Sequence, residues 1–219
     1  MLYLILAVGL TGSTPAAAVR VQDEPLHRVV HAEKALRVFD IIIPPHVSTL
    51  YHVHVNDLVG VTITPGPDRD ERAGGSPVDE PPDKPGEVWF AAHPQRYVHR
   101  VTNLGESPIH MIAIELLSSG SATNPPAPRD TAAGVVELDN TKVRVVRYSL
   151  QPGQASKSHS HKSYVLVPLG PGRIGNVCGT SEPRVVSEAG FLCVGAERQH
   201  QISNVGANPI ELLEFELGQ

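Results

Sequence analysis

The sequence predicts an all-β chain folded as two β-barrels in tandem, of jelly-roll type and with little helix. Three observations carry the prediction. Short runs rich in Val, Ile and Leu recur between turn signals such as Pro-Gly, Asn-Val-Gly and Gly-Pro-Gly, which is the pattern of strands in an all-β fold. No window sustains a helical apolar period of useful length. Finally, the chain contains itself twice.

The repeat appears when the sequence is slid along itself. Residues 36–45 (LRVFDIIIPP) align with 143–152 (VRVVRYSLQP), and without a gap His52-x-His54 falls on His159-x-His161. Further along, Phe90 and His99 fall on Phe191 and His200, Asn103 and Gly105 on Asn204 and Gly206, and Glu115 on Glu216. The front and rear registers differ because the middle loops differ in length. A period of about a hundred residues duplicates a whole fold, since solenoid units run to only about 20–50.

Boundaries follow from composition. Residues 118–134 are rich in Ser and Pro and poor in large apolar side chains, as linkers are. Barrel one is expected over 26–117 and barrel two over 135–219. Strands are expected at 37–43, 50–64, 88–91, 97–103 and 109–117. In the second repeat they are expected at 142–150, 164–169, 173–178, 190–194, 199–204 and 210–217. Residues 65–86, dense in Pro, Gly and Asp, read as an exposed loop between the halves of barrel one.

The 219 residues are 41% hydrophobic, with Pro 20, Gly 19 and a net charge of −5, so a turn-rich globular chain is expected. No Lys/Arg block stands out, which argues against nucleic acid or an anionic membrane as partner. No segment reaches the roughly 20 apolar residues of an integral membrane span. Residues 1–18 combine a ten-residue apolar run with Ala16-x-Ala18. They read as a secretory signal cleaved after Ala18, and so as export to the periplasm or the extracellular space. No Lys or Arg precedes the run, and a plain buried strand in a cytoplasmic protein is the other reading. Cys178 and Cys193 could pair in an exported chain or remain buried thiols.

The histidines carry the chemistry. Residues i and i+2 of a strand share a face, so His52 with His54, and His159 with His161, converge if that face lines a barrel. His99 and His200 come from a later strand that an antiparallel barrel brings alongside. Neutral imidazole is the commonest metal ligand, and three of them leave coordination positions open. Asn103 and Asn204, each two residues before a Gly, read as turn residues rather than ligands.

In the second repeat, Gly153-x5-His159-x-His161 followed by Gly190 and His200-x3-Asn204 resembles the two motifs of the cupin superfamily. The first repeat carries His52, His54, His99 and Asn103, with His46 where the first glycine would stand and Trp89 opposite Gly190. The resemblance covers residues 26–117 and 135–217, and tandem proteins of this kind are called bicupins. It implies metal sites at His52, His54 and His99 and at His159, His161 and His200. Cupins with four ligands add a glutamate just beyond the His-x-His pair. Leu58, Val59, Val165 and Leu166 occupy those positions here, with Asp57 and Tyr164 as off-register stand-ins.

Three-histidine iron among cupins implies a dioxygenase-type oxidoreductase acting on a small organic substrate, with Fe the expected ion and Zn, Mn or Ni the alternatives. A non-redox isomerase, lyase or decarboxylase is the second reading, and a non-catalytic protein binding a metal or small ligand is the third. Tyr97, Tyr164 and Arg198 are candidates for orienting an anion or donating a proton, with rim or packing roles the alternative. His27, His31, His46, His93 and His110 lack partners in the repeat and read as surface or hydrogen-bonded residues, His93 standing nearest a site. The chain is expected to act as a monomeric bicupin or a homo-oligomer.

Overall fold

A computed structural model of the chain describes residues 17–93, 95–117, 134–160, 163–177, 180, 182–190, 193–195 and 199–217, without the side chains of 193–195. The expected signal, save its last two residues, the linker apart from residue 134, Cys178, His161 and Arg198 lie outside the described residues, as does the Cys193 side chain.

In chain order the first repeat forms β1 (Val19–Arg20), β2 (His27–Ala32), β3 (Leu36–Ile43), β4 (His52–His54) and β5 (Leu58–Thr64). It continues with β6 (Asp68–Arg72), β7 (Val78–Glu80), β8 (Glu87–Ala91), β9 (Tyr97–Asn103) and β10 (Ile109–Leu116). The second repeat forms β11 (Gly134–Asp139), β12 (Val143–Leu150), β13 (Tyr164–Pro168), β14 (Gly172–Gly175) and β15 (Arg184–Val186). It ends with β16 (Cys193–Gly195), β17 (Ser203–Asn204) and β18 (Ile210–Leu217). One 3-10 turn, Val21–Asp23, is the only helical element among the described residues. No helix among them is long and apolar enough to cross a membrane.

Each repeat closes two sheets on one another. In barrel one the orders are β1-β4-β9-β6-β7 and β2-β3-β10-β5-β8. In barrel two they are β15-β14-β17 and β11-β12-β18-β13-β16. The repeat holds residue by residue: Leu36 pairs with Leu116 across β3 and β10, and Val143 with Leu217 across β12 and β18.

Period-two alternation on β3 and β12 serves two cores at once. Phe39, Ile41 and Ile43 turn into barrel one, and Val146, Tyr148 and Leu150 into barrel two. The opposite faces meet in a third layer, where Leu36, Val38, Val59 and Ile114 pack with Val145, Val165, Leu213 and Phe215. Only the first halves of these strands are buried on both faces; toward their ends the outer face opens to solvent, at Ile42 on β3 and at Ser149 on β12. Polar contacts fasten the same junction: Lys142 pairs with Asp57, and Arg147 Nη2 donates to Gly86 O at 2.6 Å.

Several expectations need correction. The strand expected over 50–64 is broken between β4 and β5. There Asn56 Nδ2 donates to Glu115 Oε1 at 2.9 Å and Asp57 Oδ1 accepts the His93 N–H at 2.8 Å, drawing this stretch away from the ladder. Residues 65–86 are not simply an exposed loop, because β6 and β7 form a hairpin that extends the β4–β9 sheet. Ion pairs between Arg69 and Asp79 at 2.5 Å and between Arg100 and Glu71 at 2.6 Å hold it, in place of apolar burial. The strand expected over 173–178 stops at Gly175, and Asn176 takes a positive φ of 57°. Strands β2 and β11 were not foreseen.

One equivalence at the repeat level is conformational. His46 stands where the second repeat has Gly153, and both adopt the left-handed region, with φ of 59° and 77°. The turn demands that conformation, which glycine adopts freely and other residues at a cost.

Candidate metal centre

Barrel one brings its three expected histidines together. His52 and His54 project from one face of β4 and are both buried. His99 on β9 is the cross-strand partner of His52. One nitrogen of each ring lies within 4.8 Å of the others, and the Nε2 atoms of His54 and His99 are 3.1 Å apart.

Hydrogen bonds fix which nitrogen faces inward. His52 Nδ1 donates to Leu50 O at 2.9 Å, and His99 Nδ1 donates to Asp70 Oδ1 at 2.7 Å. Each ring thereby keeps its Nε2 lone pair for the shared point. Burial, reinforced by neighbouring imidazoles, pushes His52 down to about 3 and His54 down to about 2. Both are neutral donors at ordinary pH. Three imidazole nitrogens gathered this closely, one pair 3.1 Å apart, form a donor set that would fit a divalent transition-metal cation.

Unfolding returns these imidazoles to their ordinary value of 6.5. Below that pH the unfolded chain binds protons that the folded chain refuses, so folding stability declines as pH falls. The metal-free protein is expected to lose thermal stability from pH 6.5 down toward 3, where His52 begins to titrate in the folded state. Melting curves of a His52→Gln/His54→Gln variant should show a flatter acid limb.

Residues around the cluster were only partly foreseen. His93 stacks on His54, with ring centroids 4.9 Å apart, and Tyr97 stacks on His93 at 5.1 Å. Tyr97 Oη donates to Asp70 Oδ2 at 2.7 Å, and burial, reinforced by this bond, pushes the phenol up to about 12. Burial works to raise the Asp70 carboxyl, but the bonds from His99 and Tyr97 outweigh it and leave Asp70 below its usual value. His27, read as hydrogen-bonded, is buried with Nδ1 2.6 Å from Glu24 Oε2 and its ring 4.6 Å from that of His52. Asp57 does not stand in as a ligand, since Lys142 and the His93 N–H occupy it. His110 and His46 pair with Asp40 and Glu106.

In barrel two, His159 and His200 exchange backbone hydrogen bonds at 2.8 and 2.9 Å, the same cross-strand relation as His52 and His99. Their Nε2 atoms are 2.9 Å apart. The third donor among the described residues is Glu214 on β18, its carboxylate 3.0 Å from His200 Nε2 and 3.2 Å from His159 Nε2. The sequence reading missed it. The strand carries Glu211 and Glu216 as well, and Ala113 holds the equivalent place in the first repeat, so nothing in the sequence singled Glu214 out. His159 Nδ1 donates to Lys157 O at 2.6 Å and Tyr148 Oη to Glu214 Oε2 at 3.2 Å. Tyr164 sets its ring edge-on to His200 at 4.7 Å.

Asn103 and Asn204 perform identical structural work. Each Nδ2 donates to two backbone carbonyls, Ile43 and Ser107 in one repeat and Leu150 and Asn208 in the other, at 2.8–2.9 Å. Each Oδ1 accepts the N–H of the glycine two residues on. They staple the turn after the ligand strand and are not ligands.

No protein-family sequence profile matches the chain, and no curated protein matches it by sequence. Solved structures do. AerE from Microcystis aeruginosa superposes with a TM-score of 0.61 at 12% identity, over 90% of this chain and 99% of that one. A salicylate 1,2-dioxygenase from Pseudaminobacter salicylatoxidans gives 0.58 at 11%, over 84% and 71%. The Bacillus subtilis oxalate decarboxylase, described with Mn(II) centres, gives 0.57 at 12%, over 85% and 70%. At such identities the likeness speaks for the fold alone, and the fold of this chain is that of a bicupin, two cupin barrels in tandem.

Proposed function

We propose that the chain is a metal-dependent oxidoreductase of dioxygenase type, using Fe(II) at the barrel-one cluster on a small organic substrate. One observation carries the reading: a nitrogen from each of His52, His54 and His99 converges on one point, with no carboxylate among the three donors. Such a nitrogen set suits iron among the divalent ions and leaves coordination positions for other groups. When bound, the cation supplies Lewis-acid polarisation and a redox-active seat where substrate and O2 are brought together.

The chain's own residues supply binding and shelter. His52 and His99 are locked in orientation by Leu50 O and Asp70. The stacked rings of His93 and Tyr97 form one wall beside His54. Phe39, Ile41, Leu58, Ile109 and Ala113 pack as a buried apolar cluster inside the same barrel. The likeness to a salicylate 1,2-dioxygenase supports this reading.

A non-redox reaction of the isomerase, lyase or decarboxylase kind is the second reading, and Glu214 favours it for barrel two. A carboxylate among the donors suits harder ions such as manganese, and the likeness to a manganese-containing oxalate decarboxylase points the same way. Elemental analysis of the purified chain, with oxygen uptake over a panel of small carboxylic acids, thiols and diketones, separates the two. Iron with oxygen uptake is expected. Manganese or zinc without it would favour the second reading, and a metal-free protein of full stability would sink both.

A further inference from the structure

We propose that Asp70 is the positioning residue of the barrel-one centre, fixing His99 in the tautomer and ring orientation that present Nε2 to a cation. The inference rests on the metal-centre reading above. Both carboxylate oxygens are committed: Oδ1 accepts from His99 Nδ1 and Oδ2 accepts from Tyr97 Oη, each at 2.7 Å. Tyr97 thus holds the carboxylate while the carboxylate holds the imidazole. A neutral imidazole released from such a partner exchanges tautomers and turns about its Cβ–Cγ bond, and its Nε2 no longer has one address.

Comparison of the two repeats shows what Asp70 adds. The ligand on the earlier strand is fixed alike in both, by the carbonyl two residues before it: Leu50 O for His52 and Lys157 O for His159. The ligand on the later strand is treated differently. Asp68 pairs with Asn103, and Ile174 with Asn204, so the position equivalent to Asp70 is Asn176. Asn176 is exposed, has positive φ and directs its amide to Ser203 Oγ at 3.4 Å. His200 instead meets Glu214 directly at Nε2.

Among the described residues a carboxylate therefore meets the later-strand histidine of each barrel, behind the ring in barrel one and among the donors in barrel two. In barrel one the negative charge reaches a cation only through the imidazole. It strengthens that donor and leaves all the open coordination positions to substrate. Asp70 belongs to the β6–β7 hairpin, whose hold on β9 also includes the separate Arg100–Glu71 pair.

The test measures Co(II) affinity and the visible Co(II) spectrum of the full-length chain, in a His159→Ala/His200→Ala background so that barrel one alone reports. Asp70→Ala is expected to weaken Co(II) binding by about 10–100-fold and to alter the spectrum, with the metal-free unfolding temperature close to its parent. Asp70→Asn should fall between, and Tyr97→Phe should give a smaller loss. Unchanged affinity and spectrum in Asp70→Ala would overturn the proposal. So would a loss seen only with collapse of the metal-free protein, if the shape-conserving Asp70→Asn and Tyr97→Phe chains then bind Co(II) like the parent. A parent that takes up no Co(II) would instead overturn the metal-centre reading itself.

Discussion

Replacing His52 and His54 together by alanine is expected to remove one equivalent of bound metal and to reduce oxygen uptake to background. Two of three donors are lost, so the loss in affinity should exceed the roughly 100-fold that a missing outer partner can cost. Because a cation bound only by the folded state stabilises it by mass action, a chelator should lower the unfolding temperature of the parent. It should have a smaller effect on the variant, with any remaining response tracing to barrel two. Retention of full metal content after both substitutions would place the cation elsewhere and remove the basis of the proposed activity.

Phe215→Ala is expected to have the largest effect on stability. The ring is fully buried in the layer between the barrels, against residues from both repeats. Truncating a buried Phe costs about 3–5 kcal/mol, which in a chain of this size lowers the unfolding temperature by on the order of 10 °C. Urea unfolding should show the loss as a lower midpoint with an unchanged slope. A cost below about 1 kcal/mol would mean that the layer yields to the missing ring and contributes little to holding the halves together.

What the sequence made legible was what the two repeats share. Strands β3 and β12 begin and end at equivalent residues, the histidines of barrel one meet as expected, and Asn103 and Asn204 make the same staple. The features it concealed are those in which the repeats differ. Glu214 has Ala113 as its counterpart, so aligning the repeats could not mark it as chemical. The pair at the same rung differs as well: Phe39 opposes Ala113, and Val146 opposes Glu214. The smaller side chain of Val146 leaves space that the carboxylate fills.

The β6–β7 hairpin was hidden for another reason. Its strands are almost wholly charged, Asp68 to Arg72 in one and Asp79 and Glu80 in the other, and ion pairs hold it, so apolar periodicity gives no signal there. Asp70 came into view only once pairing with β9 placed it beside His99. Glu24 is similar. It is buried at the start of the barrel, where it receives the Leu26 and Leu50 N–H groups as well as His27, and nothing in its local sequence distinguishes it from a surface glutamate.

The dry layer joining the halves has an implication for a shorter chain. Matching strands of the two repeats contribute corresponding side chains to it, Leu36 with Val143 and Ile114 with Phe215, so the junction has the character of a twofold dimer contact made within one polypeptide. A single half produced on its own would expose that patch to solvent and be driven to self-associate through it.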